Sequence, residues 1–370
     1  MVDVDAQRDT AQGSFFYESR AMQFSSPLFS ALAQGCAEDK EILELCAGVR
    51  RGQPIALFLL SVVQYLLFRS PDEELAGYFP SMTNRPKPME QAFPVFREFC
   101  LERRSELTEL LATRTVNTNL VERASNVLPA LQHVHALTGT PLTLVEIGCS
   151  AGFNLLFDEY YYDFGAVGRV GKEDASVRLS CRVIGSSRPK LESVPPVARR
   201  VGVDLVTVDC SDPDTRLWME SMLSPEWYEE RDRLRKALAL RSDRKIRMLC
   251  GNALTVLPEL LEELGGPVVV LHTYIMGQWF AAAKESLDKM FRYASRQRDI
   301  HRIGVEAPGT ESAESIRARL AALSRAKIPL RQKSLPARVD YTQYRKGTVQ
   351  STVLGYVDGF GGWLDWRASA

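Results

Sequence analysis

Gly148-Cys149-Ser150-Ala151-Gly152 is the stretch of the chain whose residue types and spacing point most directly to chemistry. The spacing Gly-x-Ser-x-Gly is typical of the turn that presents the nucleophilic serine of a hydrolase. The same residues follow the apolar strand "LTLVEI" and precede a helical segment, which is also how α/β folds hold a nucleotide-type cofactor. Both interpretations predict a strand, a sharp turn and a helix, so residues elsewhere must decide between them.

The histidines of the chain argue against the hydrolase. Such an enzyme needs an acid and then a histidine after its serine. Of four histidines only His272 and His301 follow Ser150, and both lie next to predicted strands rather than in a loop near the C-terminus. No His-Gly-Gly-Gly-type segment precedes the turn. We therefore expect Ser150 and Cys149 to be small residues in a tight turn, without a nucleophilic role.

Small or polar residues stand where four successive predicted strands end. Open α/β sheets bind ligands beyond the carboxyl ends of their strands, so these residues predict a cofactor crevice. Small residues let the backbone approach a ligand, and a helix N-terminus offers N–H groups to an anion. An aspartate at the second strand end is placed to accept hydrogen bonds from two ribose hydroxyls, and an asparagine after the third to pair with an adenine edge. The residues are Glu146 and Gly148 at the first strand end, Ser150 and Gly152 at the start of the helix, Asp204, Asn252, and His272 at the fourth strand end.

Five side chains complete the candidate chemistry. His272 is the candidate general base, because its reference pKa is near neutral; the other interpretation is a core histidine bonded to backbone. Tyr274 orients a substrate or is an ordinary residue at the strand exit. Asn119 and Arg123 share one helix face, from which Arg123 pairs with a carboxylate of cofactor or substrate, or forms a solvated salt bridge. Asn154, one turn into the helix after the turn, is predicted to line the pocket.

The elements that must position these residues change in character along the chain. Residues 1–112 carry helical periodicity and predict a helical N-terminal domain or cap. From 113 to 370 short apolar strands alternate with helices, which predicts a doubly wound, mostly parallel seven-stranded sheet ending in an antiparallel hairpin. Residues near 167–196 lengthen the connection to Asp204 and are predicted to be an insertion, a small hairpin over the site.

Composition excludes several classes of protein. Lys plus Arg and Asp plus Glu are both 46, so no net field draws the chain to nucleic acid or to an anionic membrane. The apolar run at 54–68 is too short to span a bilayer and predicts a buried helix. Seven cysteines without zinc-ligand spacing indicate reduced thiols in a cytoplasmic protein without a metal. The acidic cluster "DCSDPD" could suggest a metal site. A proline in the first turn of a helix and an aspartate that caps this helix explain most of the cluster without a metal. The composition is compatible with a homo-oligomer and with a protein partner.

The order "VEIGCSAG … GVD … GNA … VVLHTY" resembles that of class I S-adenosylmethionine-dependent methyltransferases. The whole chain, from "SPLFSALA" through "TNLVERASNVLPAL" to "LHTYIMGQW", resembles a bacterial family of unassigned function with a methyltransferase-like core. The resemblance covers most of residues 26–366. It implies that Gly148, Ser150 and Gly152 flank the methionine part of S-adenosylmethionine, Asp204 its ribose and Asn252 its adenine.

These observations lead to one functional hypothesis and two alternatives. The first is a methyltransferase that uses S-adenosylmethionine on a small molecule, with Glu146, Asn154 and Asn119 also in the cofactor site and His272, Tyr274 and Arg123 beside the substrate. The second keeps the fold but catalyses an intramolecular displacement, a cyclisation or an elimination on an anionic amino-acid-like substrate of secondary metabolism, because fold does not dictate reaction. The third is a non-catalytic partner subunit.

Overall fold

A computed structural model of the protein describes residues 10–50, 52–116, 120–307, 321, 323–324 and 336–368. The α-helices of these residues are α1 (Ala11–Ala21), α2 (Pro27–Glu38), α3 (Lys40–Leu45), α4 (Ile55–Arg69), α5 (Ala92–Glu102), α6 (Arg104–Thr113), α7 (Ala124–Thr138), α8 (Pro213–Ser221), α9 (Tyr228–Asp243), α10 (Ala253–Glu263) and α11 (Ala281–Ala294). The strands are β1 (Leu142–Ile147), β2 (Tyr161–Asp163), β3 (Arg169–Gly171), β4 (Arg178–Ser180), β5 (Arg182–Ile184), β6 (Val197–Asp204), β7 (Arg247–Cys250), β8 (Val268–Thr273), β9 (Ile300–Glu306), β10 (Ala337–Arg345), β11 (Thr348–Val357) and β12 (Trp363–Trp366).

The chain forms two compact units, and the first is discontinuous in sequence. It comprises Met1–Thr118 and Ser211–Arg235. Its centre is α4, which is apolar on all sides and buried along nearly its whole length, as expected of a helix enclosed by others. The predicted buried helix at 54–68 is therefore confirmed. No helix in the described part of the chain is long and apolar enough to cross a membrane.

Hydrogen bonds join the two sequence segments of this first unit. The buried Gln64 Nε2 donates to the carbonyl oxygens of Ser221 and Leu223, at 2.8 and 2.7 Å. At the start of α2, Ser26 Oγ and the backbone N–H of Leu28 both donate to the carboxylate of Glu226. Residues 211–235 therefore complete the helical unit, although they lie between β6 and β7 in the sequence.

The second unit, Asn119–Cys210 with Lys236–Ala370, contains a nine-stranded sheet. The strand order is β5-β12-β11-β10-β9-β8-β1-β6-β7, and five of the pairings are parallel. The predicted mostly parallel α/β sheet is confirmed, but the predicted count of seven strands was wrong for the described residues. The sheet includes β12, which follows the C-terminal hairpin, and β5, which pairs with β12 at the sheet edge.

The segment predicted as an inserted hairpin has a different structure. Strands β3 and β4 pair with opposite sides of β2, antiparallel and parallel respectively, and form a separate small sheet. Strand β5 leaves this sheet and joins the large one. The insertion therefore contributes to two sheets, because its alternating residues provide two short strands where the sequence indicated one.

The parallel core of the large sheet determines where a ligand can bind. Strands β7, β6, β1, β8 and β9 are adjacent in that order, so the first five long strands of the chain are arranged 3-2-1-4-5. Every residue of β1 and β8 is buried, which is typical of parallel strands covered on both faces. The order reverses between β1 and β8, and this switch point is where open α/β sheets form their ligand crevice.

Candidate functional site

The turn after β1 is a sequence of left-handed residues. Gly148, Ser150 and Gly152 have φ angles of 70°, 49° and 79°. A Cβ on Gly148 would lie 2.5 Å from Ile275 Cγ2, so both the φ angle and the space require glycine there. Ser150 is strained in this conformation, because an L-residue with a Cβ rarely adopts it. Outliers of this kind persist where the surrounding structure determines them, and they cluster at functional sites.

The backbone N–H groups of the turn are used within the protein. Those of Gly148 and Cys149 donate to the carbonyl oxygen of Val203, and that of Gly152 donates to the carbonyl oxygen of Cys149. The N–H of Ser150 donates to Asp204 Oδ2 at 2.8 Å. Four of the five N–H groups of residues 148–152 are therefore bonded within the protein, which leaves little of the predicted capacity of this turn to bind an anion.

The segment after the turn also differs from the prediction. Residues Asn154–Glu159 form two short 3-10 turns with a kink at Leu156, and β2 begins two residues later, at Tyr161. The predicted α-helix, with an anion-binding N-terminus, is absent at this place. The phenolic groups of Tyr160 and Tyr162 donate instead to the carbonyl oxygens of Phe153 and Phe157, which anchors the short helix to β2.

Asp204 ends β6 as predicted and lies directly beside the turn. Besides the N–H of Ser150, its carboxylate accepts a longer bond of 3.3 Å from the N–H of Val206. A carboxylate has about four lone-pair positions, so capacity remains for ligand hydroxyls. The next two residues, Leu205 and Val206, are 71% and 59% exposed. An acceptor beside exposed apolar surface thus lies at the carboxyl end of β6.

Glu146 and Asn154 form a buried pair on the other side of the turn. Asn154 Nδ2 donates to Glu146 Oε1 at 2.7 Å, and both residues are fully or almost fully buried. Glu146 Oε2, Asn154 Oδ1 and Ser150 Oγ have no hydrogen-bond partner among the described residues. Burial raises the pKa of Glu146 to about 8, and the bond from Asn154 opposes that shift. The site therefore contains three buried polar atoms without partners among the described residues, which a ligand with hydrogen-bonding groups would satisfy.

His272 ends β8 and is oriented by Glu306, the last residue of β9. His272 Nδ1 lies 2.7 Å from Glu306 Oε1. The backbone N–H groups of Ile275 and Met276 donate to the same carboxylate, at 3.3 and 3.1 Å. A Cβ on Gly304 would lie 2.7 Å from His272 Cε1, so the imidazole occupies space that a glycine leaves open. An acceptor at Nδ1 places the proton there and leaves Nε2 as the basic nitrogen.

Arg123 and Tyr274 contact each other at the same edge. The guanidinium carbon of Arg123 lies 4.3 Å from the centre of the Tyr274 ring, and Arg123 Nε donates to the carbonyl oxygen of Gly359 at 3.3 Å. Burial lowers the pKa of Arg123, while neighbouring groups that include Glu306 and Glu146 stabilise its charge. Burial raises the pKa of Tyr274. Because these carboxylates already compensate the charge of Arg123, this arrangement does not favour an anionic substrate.

The structure brings only some of the predicted residues into contact. It pairs Glu146 with Asn154, Ser150 with Asp204, and Arg123 with Tyr274, as described above. Asn252 is exposed and caps α10 by accepting the N–H of Leu254 at 2.9 Å, which leaves its amide N–H groups available. Asn119 lies outside the described residues.

Sequence reasoning missed Glu306 and Asp358. Glu306 is the polar residue at the end of a predicted strand, so the rule that selected Asp204 and His272 would have found it. Asp358 is fully buried in the loop before β12, where Gly362 donates its N–H to Oδ1 and Asn126 Nδ2 donates to the backbone carbonyl. Burial raises the pKa of Asp358 to about 7. Only the glycine-rich sequence "DGFGG" hinted at a specific loop.

Two absences limit the chemistry of the described residues. Within them Ser150 Oγ has no hydrogen-bond partner, and the partner of His272 Nδ1 is Glu306 rather than a serine. In the same part of the chain, no group of three or more His, Cys, Asp or Glu side chains is arranged to hold a metal ion. The serine of the turn therefore lacks the neighbouring base that a hydrolase nucleophile needs.

The strand order 3-2-1-4-5 defines a doubly wound α/β protein, and polar residues lie at the carboxyl ends of β1, β6, β8 and β9 beside its switch point, where open α/β sheets bind ligands. The chain belongs to the family described as "uncharacterized protein conserved in bacteria" (DUF2332), whose model matches residues 15–366. The resemblance to a bacterial family of unassigned function is thereby confirmed.

Comparison with individual proteins adds one distant similarity. No curated protein matches the chain. Among solved structures, the chain is similar to the plantazolicin methyltransferase BamL in complex with a triazolic desmethylPZN analog and SAH. The two chains are 10% identical, and the TM-score is 0.26. The similar region covers 71% of this chain and 64% of that chain, which is less than two thirds of its length.

Proposed function

We propose that the protein is a methyltransferase that uses S-adenosylmethionine to modify a small molecule. The observation that carries this proposal is the polarity of the turn after β1. Four of the five N–H groups of residues 148–152 are already bonded within the protein, whereas Asp204 and Ser150 offer acceptor oxygens, and a cationic ligand beside Glu146 would favour its ionised form. Such a site suits a ligand that donates hydrogen bonds and carries positive charge, and it does not suit a pyrophosphate.

S-adenosylmethionine fits these acceptors, since it has an ammonium group, a sulfonium charge and a ribose diol. Asp204 would accept from the ribose hydroxyls, while Glu146 and Ser150 would lie towards the methionine part. The exposed side chains of Leu205 and Val206 provide apolar surface for the adenine, and the Asn252 amide provides hydrogen-bond donors. When bound, this cofactor supplies an electrophilic methyl group.

The chain's own contribution to the reaction is proton transfer and alignment. Glu306 holds His272 Nδ1, so that the buried Nε2, which has no hydrogen-bond partner among the described residues, would accept a proton from a substrate atom that reaches it. Arg123, stacked on Tyr274, fixes the tyrosine ring at the mouth of the crevice, where it orients the substrate.

Calorimetric titration with S-adenosylhomocysteine tests the cofactor part of the proposal. We expect binding by the natural protein and at least tenfold weaker binding by Asp204→Asn, which keeps an acceptor for Ser150 but loses the charge that ribose hydroxyls favour. Asp174→Asn, an exposed aspartate elsewhere, is the matched control and should bind normally. ATP should not bind, because its phosphates meet carboxylates. If ATP binds as tightly as S-adenosylhomocysteine, or if neither binds, the proposal is wrong.

A second candidate is a reaction other than methyl transfer in the same crevice. The paired His272 and Glu306 favour it, because proton abstraction by such a pair also starts eliminations and cyclisations. Transfer of a labelled methyl group to any small acceptor would exclude this alternative. Consumption of substrate without loss of the label from S-adenosylmethionine would support it.

A further inference from the structure

A groove lies at the end of the sheet opposite the crevice. It is bounded by the first residues of β6 and β7 and by the end of α10, and its volume is about 400 Å³. We call it the basic groove, because it is lined by Arg199, Arg200, Lys245 and Arg247. Glu263 is its one acidic residue. The proposed function does not involve any of these side chains.

Two of the four basic side chains already form ion pairs with carboxylates. Both terminal nitrogens of Arg200 bind Asp158, at 2.8 Å each, and the same guanidinium donates to the carbonyl oxygen of Leu155. Arg247 forms an ion pair with Glu263 at 2.5 Å, and this contact lowers the pKa of the Glu263 carboxyl. These pairs fix the walls of the groove in place.

The other two cations remain available. Arg199 and Lys245 are exposed, and neither forms a hydrogen bond or an ion pair within the described part of the chain. Arg199 contributes only at longer range to the environment of Glu263. The groove therefore carries two uncompensated positive charges, in a protein whose net charge is zero.

Apolar side chains also line the groove, and two of them, Val201 and Leu264, are almost fully buried. Val197, Val201 and Leu264 line it between the charged side chains. Its volume is within the range of sites that hold small organic ligands. Arg199 and Lys245 both line this groove, and guanidinium and ammonium groups are usual partners of phosphate oxygens, the first as a planar fork and the second as a point charge. We propose that the basic groove binds a small organic phosphate, with its phosphate at Arg199 and Lys245 and its apolar part against the valines.

Calorimetric titration with phenyl phosphate and with inorganic phosphate tests this inference. We expect phenyl phosphate to bind more tightly, because only it has an apolar part. The double variant R199A/K245A should bind phenyl phosphate at least tenfold more weakly. The control R188A/K284A removes one arginine and one lysine from exposed positions elsewhere and should bind as the natural protein does. Thermal unfolding of each variant checks that the fold is retained.

Three results would overturn the inference: no binding of phenyl phosphate, equal weakening by the two double variants, or competition by S-adenosylhomocysteine. The last would place the phosphate in the crevice. Unchanged binding in the presence of saturating S-adenosylhomocysteine supports a separate site. Because the titration does not depend on the cofactor, the basic groove and the proposed methyltransferase activity succeed or fail independently.

Discussion

At the residue scale, Glu306 determines which nitrogen of His272 is basic. Its carboxylate accepts from Nδ1 and from two backbone N–H groups, so its position is fixed by contacts that do not involve the substrate. An orienting carboxylate of this kind is what makes a neutral imidazole act as a base at one defined nitrogen. Glu306 is therefore a positioning residue in the proposed mechanism, and His272 is the group that would contact the substrate.

We predict that Glu306→Ala changes the tautomer of His272. In the natural protein the ¹⁵N chemical shifts of this ring should show a proton on Nδ1. In the variant they should show a mixture of tautomers, because Nδ1 has lost its acceptor. His301, whose Nδ1 pairs with the Tyr341 hydroxyl, is the internal control and should not change. An unaltered His272 tautomer would show that other groups set its orientation.

A second prediction concerns the buried carboxyl of Glu146. Its pKa is raised from an ordinary 4.5 to about 8 in the folded protein, chiefly by burial. The folded state therefore binds more protons than the unfolded state between these values, and the natural protein should lose stability as pH rises from about 4.5 to about 8. Glu146→Gln removes the charge and keeps an acceptor for Asn154. It should match the natural protein near pH 5 and exceed it by a few kcal/mol at pH 9, since one pKa unit corresponds to about 1.4 kcal/mol.

Urea unfolding at the two pH values measures this difference. Glu173→Gln, at an exposed position, is the control and should show no comparable dependence on pH. A Glu146→Gln variant that is equally destabilised at both pH values would mean that the carboxyl is ionised in the folded protein throughout the range.

At the scale of elements, the loop between β11 and β12 depends on one glycine. Gly361 has a φ of 72°, and a Cβ there would lie 2.2 Å from the backbone oxygen of Glu122. Gly347, in the turn between β10 and β11, has a similar φ of 79° but no atom within 4 Å of its Cβ position. Alanine at either position costs roughly 1–2 kcal/mol for the left-handed conformation.

Only Gly361→Ala adds a collision with rigid backbone. We therefore expect Gly361→Ala to lower the free energy of unfolding by about 2 kcal/mol more than Gly347→Ala, as core overpacking does. Urea unfolding of the two variants gives this difference directly. Equal destabilisation would show that the loop moves freely away from α7 and its preceding turn.

The same scale shows what the sequence could predict and what it could not. The strand ends at Asp204 and His272 followed from apolar runs of the right length, because the core requires such runs whatever the loops do. The turn after β1 was recognised, but its hydrogen bonds were not, since they depend on Val203 and Asp204, which lie more than fifty residues away. Whether a short apolar segment becomes a 3-10 helix or an α-helix is likewise decided by tertiary anchors, here the hydroxyl of Tyr160.

At the scale of the whole molecule, the discontinuous helical unit was the feature least accessible from sequence. Periodicity identified α8 and α9 as helices but carries no information about which core they complete. Gln64 illustrates the difficulty. In the sequence it interrupts an apolar run, whereas in the structure it is fully buried, donates two hydrogen bonds across more than 150 residues and accepts one from Ser81.

We therefore predict that residues 1–118 do not fold cooperatively without residues 211–235. Gln64→Ala in the full chain isolates one part of this dependence, because it removes the side-chain donor of the Ser221 carbonyl oxygen and leaves that of Leu223 with only the longer bond of 3.4 Å from Arg231. An unsatisfied buried group costs about 1–3 kcal/mol, so a loss of about 3 kcal/mol is expected. Gln34→Ala, an exposed glutamine of α2 that bonds only to Glu38, should cost less than about 0.5 kcal/mol. Circular dichroism during urea unfolding measures the stability of the 1–118 fragment and of the two variants. A sharp transition of the fragment alone would show that its helices form a complete core by themselves.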